Sequence, residues 1–129
     1  MTRSTDQLPA ENGEVSLPDW SLFDKEDLVD LDDELRAAFR ARAVPTPAHV
    51  ARDPQALSDE RRSGVPVTVI ACVFTSATLR AWVDQGHPYV RELGKVREVE
   101  YVDLRTGHWP QFTRPDDLGD AIAASVPTG

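Results

Sequence analysis

Apolar positions along the chain follow two periods, and the change between them predicts the elements. Over residues 24–42, Leu28, Leu31, Leu35 and Phe39 recur at three- and four-residue spacing, the stripe of one amphipathic helix. Asp24 is the expected cap, and Arg36, Arg40 and Arg42 lie towards the end where the helix dipole favours cations. Pro45 and Pro47 cannot continue that helix, so a mobile loop is expected from there to about Ser63, with His49 as a surface residue in it. Residues 65–74, Val65-Pro66-Val67-Thr68-Val69-Ile70-Ala71-Cys72-Val73-Phe74, are β-branched and almost continuously apolar. That is the signature of a strand covered on both faces, as in a parallel sheet, with Pro66 at its start where a missing donor is tolerated.

Helical spacing then returns. Thr75-Ser76 caps a helix through Leu79, Trp82 and Val83 that stops at Gly86. His87 is read as a cap or loop residue, and Pro88 starts a second helix with Tyr89, Val90, Leu93 and Val96 inward. Residues 99–104 read as a short strand. A last helix opens on Pro115, Asp116 and Asp117 and buries Leu118, Ala121, Ile122 and Val126. Strand, helical crossover and strand make a βαβ unit, which is right-handed by the usual sterics. The predicted class is therefore α/β, a short parallel sheet of about two strands with flanking helices. Two strands are few for an independent sheet.

With 129 residues and 40% hydrophobic content, one ordinary domain is expected. The net charge of -8 is unevenly spread: residues 1–60 hold 14 acidic and 6 basic side chains, residues 61–129 hold 8 of each. An acidic surplus argues against nucleic acid or an anionic membrane as the main partner. Residues 1–18 are polar and are expected to be a disordered tail or a severed linker. One cysteine, Cys72, excludes an internal disulfide and fits a reducing, cytoplasmic setting; no apolar run approaches the ~18 residues of a membrane span. Cys72 reads as an inert thiol rather than a nucleophile, because no base or positive charge adjoins it in sequence. The cluster Asp30-Leu31-Asp32-Asp33-Glu34 reads as a solvated helix face rather than a metal site. His49, His87 and His108 lack ligand spacing, and no Gly-rich phosphate loop follows residues 65–74, so no metal or cofactor is expected.

The chemistry centres on Thr106-Gly107-His108-Trp109-Pro110-Gln111-Phe112-Thr113-Arg114-Pro115, a histidine-bearing loop past the carboxyl end of a strand, where open α/β sheets gather ligands. Residues 65–126 resemble the C-terminal end of an α/β-hydrolase. Thr106-Gly107-His108-Trp109-Pro110 is similar to that family's catalytic-histidine loop, and Thr113-Arg114-Pro115-Asp116-Asp117-Leu118 to the phrase opening its final helix. The resemblance implies a partial α/β-hydrolase fold, with 1–18 a tail or linker, 19–64 a helical cap or lid segment placed by order alone, and 65–129 the C-terminal portion of the core. It implies that His108 is the general base of a serine ester or amide hydrolase, with no metal or organic cofactor. Trp109 and Phe74 would adjoin a small-molecule ester or amide substrate.

The departures are equally definite. The serines stand at 4, 16, 21, 58, 63, 76 and 125, and none lies in Gly-x-Ser-x-Gly. The oxyanion-hole loop is missing, and the position expected for the acidic triad member falls near Val73 and Phe74. Asp84 and Asp103 are the carboxylates of that half, though no motif sets either beside His108. The chain is thus expected to be inactive alone. The alternative is a non-catalytic module that completes a sheet with a complementary hydrolase half, or self-associates through exposed strand edges.

Overall fold

The computed structural model describes residues 8–128, and the chain divides into two compact units, 1–57 and 58–129. The fold is mixed α/β: helices with one two-stranded parallel sheet and one two-stranded antiparallel sheet. Part of the expected tail, residues 1–7, lies outside the described residues.

The first unit begins with a turn that its own sequence dictates. Asn12 and Gly13 both take positive φ, 52° and 79°, and Glu11 and Glu14 exchange backbone hydrogen bonds of 2.9 and 3.0 Å around them. Asn-Gly suits this turn because its two central residues need left-handed φ. Residues 8–18 are therefore ordered rather than a tail. Strand β1 (Glu14–Val15) pairs antiparallel with β2 (Thr46–Pro47), and the Ala48 amide donates to the Gly13 carbonyl at 2.8 Å. Helix α2 (Ala48–Arg52) follows at once. The loop expected over 43–63 thus contains a strand and a short helix, and residues 60–64 form a 3-10 turn capped by the Asp59 carboxylate. Prolines 45 and 47 end the preceding helix, yet Pro47 sits in an edge pairing where its missing donor is harmless.

Helix α1 spans Asp33–Arg42, with its cap at Asp32, eight residues after the expected cap Asp24. Residues 25–30 are successive turns. The cause is local competition. In a continuous helix the Leu35 amide would donate to the Leu31 carbonyl. Instead it donates to the Asp32 carboxylate at 2.8 Å, an N-cap, while the Arg36 guanidinium takes the Leu31 carbonyl at 2.7 Å and reaches that of Leu28 at 3.4 Å. The acidic run is accordingly no helix face: Asp32 is the cap, Asp33 and Glu34 form the first turn, and Asp30 precedes it. Arg40 lies 5.1 Å over the Trp20 ring and donates to the carbonyls of Leu17 and Pro18, which ties the segment before α1 to its last turns.

In the second unit β3 (Val67–Ala71) runs parallel to β4 (Val99–Asp103), with Val67 opposite Val99 and Ala71 opposite Asp103. The crossover is helix α3 (Ser76–Asp84), capped by the Thr75 hydroxyl on the Thr78 amide and ended at Gly86, whose φ is +67°. Ala71, Leu79 and Val90 form the buried centre, packed by Val69, Trp82, Val83, Leu93 and Tyr101. Residues 88–96 are two 3-10 turns, Pro88–Val90 and Leu93–Lys95, rather than a helix. Their amides bond three residues back, which turns Val90 inward and leaves Tyr89 71% exposed. Nor is β3 covered on both faces: only Ala71 is fully buried, and Val67 to Ile70 are half-buried. Past β4 come a short helix α4 (Pro110–Thr113) and helix α5 (Pro115–Ser125). Of the face expected to be buried, Leu118 and Ala121 are half-buried, while Ile122 (52%) and Val126 are exposed.

Candidate functional site

Both strands of the parallel pair end on the same side, and the segments that leave them, 72–75 and 104–109, converge there. Pairing brings Ala71 level with Asp103, and the Leu104 amide then donates to the Ala71 carbonyl at 2.8 Å, prolonging the ladder by one bond. The chain leaves β4 through Leu104 and Arg105 and buries Thr106 and Gly107, with the Thr106 hydroxyl donating to the Gly107 carbonyl at 2.9 Å. His108 follows in a bend and is exposed. Its ring meets Trp109 edge to face, centroids 4.8 Å apart. Pro110 then starts α4, so His108 is held between a buried dipeptide and a helix start.

The other aromatic residue expected near the site, Phe74, leaves β3 in the segment 72–75 and has ring partners of its own. Phe74 packs against Trp82 at 4.9 Å and Tyr89 at 6.2 Å. His87 stacks on Trp82, centroids 5.0 Å apart and 20° between planes, and its Nδ1 accepts from the Tyr89 amide at 3.1 Å. Phe74 thus belongs to a four-ring cluster between α3 and the Pro88–Val90 turn.

Two carboxylates were candidates to orient the imidazole. Asp103, the last residue of β4, accepts from the Ser76 amide at 2.7 Å and from the Ser76 hydroxyl at 2.6 Å. Both oxygens are engaged at the first turn of α3. The Ser76 hydroxyl and then its amide hold the Asp103 carboxyl below the ordinary carboxylate range, against slight desolvation and with weaker help from Arg105 and Arg80. Asp84 ends α3, and because α3 runs back along the sheet it stands at the opposite, amino end of the strands. The Ser76–Asp103 link joins a helix start to a strand end 27 residues away. Its signal in the sequence was an Asp closing one strand and a Ser opening the helix after the other.

The remaining candidates have structural occupations. His49 is exposed, with Nδ1 3.0 Å from Asp53 Oδ1 one helical turn on. The Cys72 thiol is half-buried and approaches the Ile70 carbonyl at 3.7 Å. Among the described residues no group of three or more His, Cys, Asp or Glu could hold a metal ion, and no helix is long and apolar enough to cross a membrane. No family profile, curated protein or solved structure matches the chain.

Proposed function

We propose that residues 65–126 carry the C-terminal part of an α/β-hydrolase of the serine ester or amide type, with His108 in the position of the general base. One observation supports this reading above the others: His108 is exposed in the loop that leaves the second strand of a parallel βαβ unit, with buried Gly107 before it and a proline-started helix after it. An imidazole is the side chain suited to take a proton from a nucleophile, here one carried on a strand that this chain does not supply. Such a nucleophile would attack the carbonyl of a small ester or amide, and the imidazolium would return the proton to the leaving group. No metal or organic cofactor enters that chemistry. The lone Cys72 suits a cytoplasmic setting for it.

Alone, the chain lacks the covalent step, since none of its serines stands on a nucleophile elbow. Purified protein given a short-chain p-nitrophenyl ester is expected to show no turnover above buffer, unchanged in His108→Ala. Turnover lost in His108→Ala would mean the chain has its own nucleophile, and the reading would fail. Mixing with a polypeptide that bears the Gly-x-Ser-x-Gly strands of a hydrolase but lacks its histidine loop is expected to give His108-dependent turnover. A co-purifying but inactive complex would overturn the assignment of His108.

A second reading, a module that completes a sheet with another chain, is favoured by one feature: among the described residues each strand of the parallel sheet has a single neighbour.

A further inference from the structure

Among the described residues neither outer edge of the parallel sheet is paired, and the hydrogen-bond register says which groups face outward on each. The Val67 amide donates to the Glu98 carbonyl, and the Leu104 amide donates to the Ala71 carbonyl. In a parallel ladder alternate residues bond to the same neighbour, so Val67, Val69 and Ala71 spend their amides and carbonyls on β4. The backbone groups of Thr68 and Ile70 therefore point to the other edge. By the same alternation Val99, Tyr101 and Asp103 present the outer edge of β4, beside Glu100.

Charge separates the two edges. From Ser63 to Leu79 no residue is charged, the longest such run in a chain of net charge -8. Two copies approaching through β4 would bring Glu100 and Asp103 against their counterparts, whereas β3 itself offers its counterpart no charged side chain. Natural sheets protect open edges with charges, prolines or bulges, and β3 has one such device. Pro66 falls in the outward-facing register with Thr68, so the pairing edge lacks a donor there and ends after Val67.

We propose that β3 is a self-association edge, on which a second copy of this chain docks its own β3 antiparallel across a two-fold axis at Val69. The inference rests on the interaction reading and not on the hydrolase one. With Val69 opposite its own copy, Thr68 faces Ile70 of the second copy and Ile70 faces its Thr68. These are the residues whose amides and carbonyls are outward, so four backbone hydrogen bonds close. Val67 then meets Ala71 on the face that α3 covers, and Thr68 meets Ile70 on the other, so both cross-strand sets are uncharged. The product is a four-stranded sheet in the order β4-β3-β3-β4. Shifting the register by two residues sets Thr68 or Ile70 opposite its own copy and draws Pro66, which has no donor, or Cys72, beyond the end of β3, into the seam, so the two-fold at Val69 is the alignment that uses the residues of β3 alone. Five residues a side make a small interface, and the dimer is expected to form in a concentration-dependent way.

Size-exclusion chromatography with light scattering, run over a hundredfold concentration range, is expected to move the full chain from monomer to dimer. Amide hydrogen exchange followed by NMR is expected to show Thr68 and Ile70 slowing as the dimer forms. Thr68→Pro deletes one outward donor per copy without touching the ladder to β4, and should weaken dimerisation at least about tenfold while far-UV circular dichroism stays unchanged. Thr68→Lys, which sets charges into the seam, should do the same should the proline variant fail to fold. Three results would overturn the proposal: a monomer at every concentration, a dimer that both folded variants retain, or Thr68 and Ile70 amides already slow in the monomer. Protection of those amides only when a different polypeptide is added would also overturn self-pairing while sustaining the interaction reading.

Discussion

Leu79 and Ile122 are both apolar positions on helices, both spaced as core residues, and the structure separates them sharply. Leu79 is 7% exposed, between Ala71 and Val90, whereas Ile122 is 52% exposed on α5. Truncating either to alanine removes three carbon atoms. At about 0.8 kcal/mol per buried methylene, Leu79→Ala loses about 2.4 kcal/mol of transfer free energy. A cavity term raises this to about 3 kcal/mol, because neighbours close only partly into the space. Ile122→Ala loses about half the transfer term and leaves no cavity, so about 1 kcal/mol is expected. Urea unfolding at 25 °C, followed by far-UV circular dichroism and tryptophan fluorescence, reads both; an unchanged m-value shows that the difference lies in the native state. For a unit of this size 1 kcal/mol moves Tm by about 4–8 °C, so the two variants should melt at least about 8 °C apart. Equal losses, within about 0.5 kcal/mol, would refute the placement of the core at Ala71, Leu79 and Val90 and restore α5 as a buried helix.

Asp103 is held below the ordinary carboxylate range by the Ser76 hydroxyl and amide. A depressed folded-state pKa adds stability that is present above the unfolded value, near 4, and is lost as pH falls through the folded value. Carboxyl NMR titration should therefore give Asp103 a midpoint below the ordinary one, and Ser76→Ala should raise it; no change in Ser76→Ala would remove the link between α3 and β4. At the turn in the first unit, Gly13 has φ +79° and open space where a Cβ would stand, so the cost of Gly13→Ala is conformational alone. About 1 kcal/mol is expected from forcing an L-residue left-handed, measured by thermal melting, and a neutral substitution would show that the turn relaxes freely.

The elements most legible in the sequence are those whose signals are local and agree. Thr75 and Gly86 bracket α3, and Val67–Ala71 and Val99–Asp103 are strands as their β-branched runs require. His108 falls in the loop after β4, as its place between a strand and a proline-started helix suggests. Other features needed a partner that spacing does not reveal. The start of α1 is decided by the Arg36 guanidinium taking the carbonyls that a longer helix would use. The strand over residues 46–47 exists because Asn12-Gly13 turns β1 towards it, and that turn signal was hidden in a segment read as a polar tail. Phe74 follows a strand end in sequence, and only the structure shows that its ring packs on Trp82 and Tyr89. Periodicity marks which residues are apolar; it does not say which apolar face finds a cover, and Ile122 and Val126 are the cost of that gap.

Parallel pairing also has a kinetic side. Val99 lies 32 residues after Val67, so no rung of the ladder closes until the whole crossover has been enclosed. Loop closure on that scale precedes any reward from strand hydrogen bonds, which slows folding relative to the neighbouring helices. During synthesis at about 5–20 residues per second, β3 waits roughly 2–6 s before its partner has been made. Through that interval α3 forms from local signals while an uncharged, β-branched segment stays unpaired. In this chain, the race between intramolecular closure and contact with other nascent chains is decided by the length of its crossover.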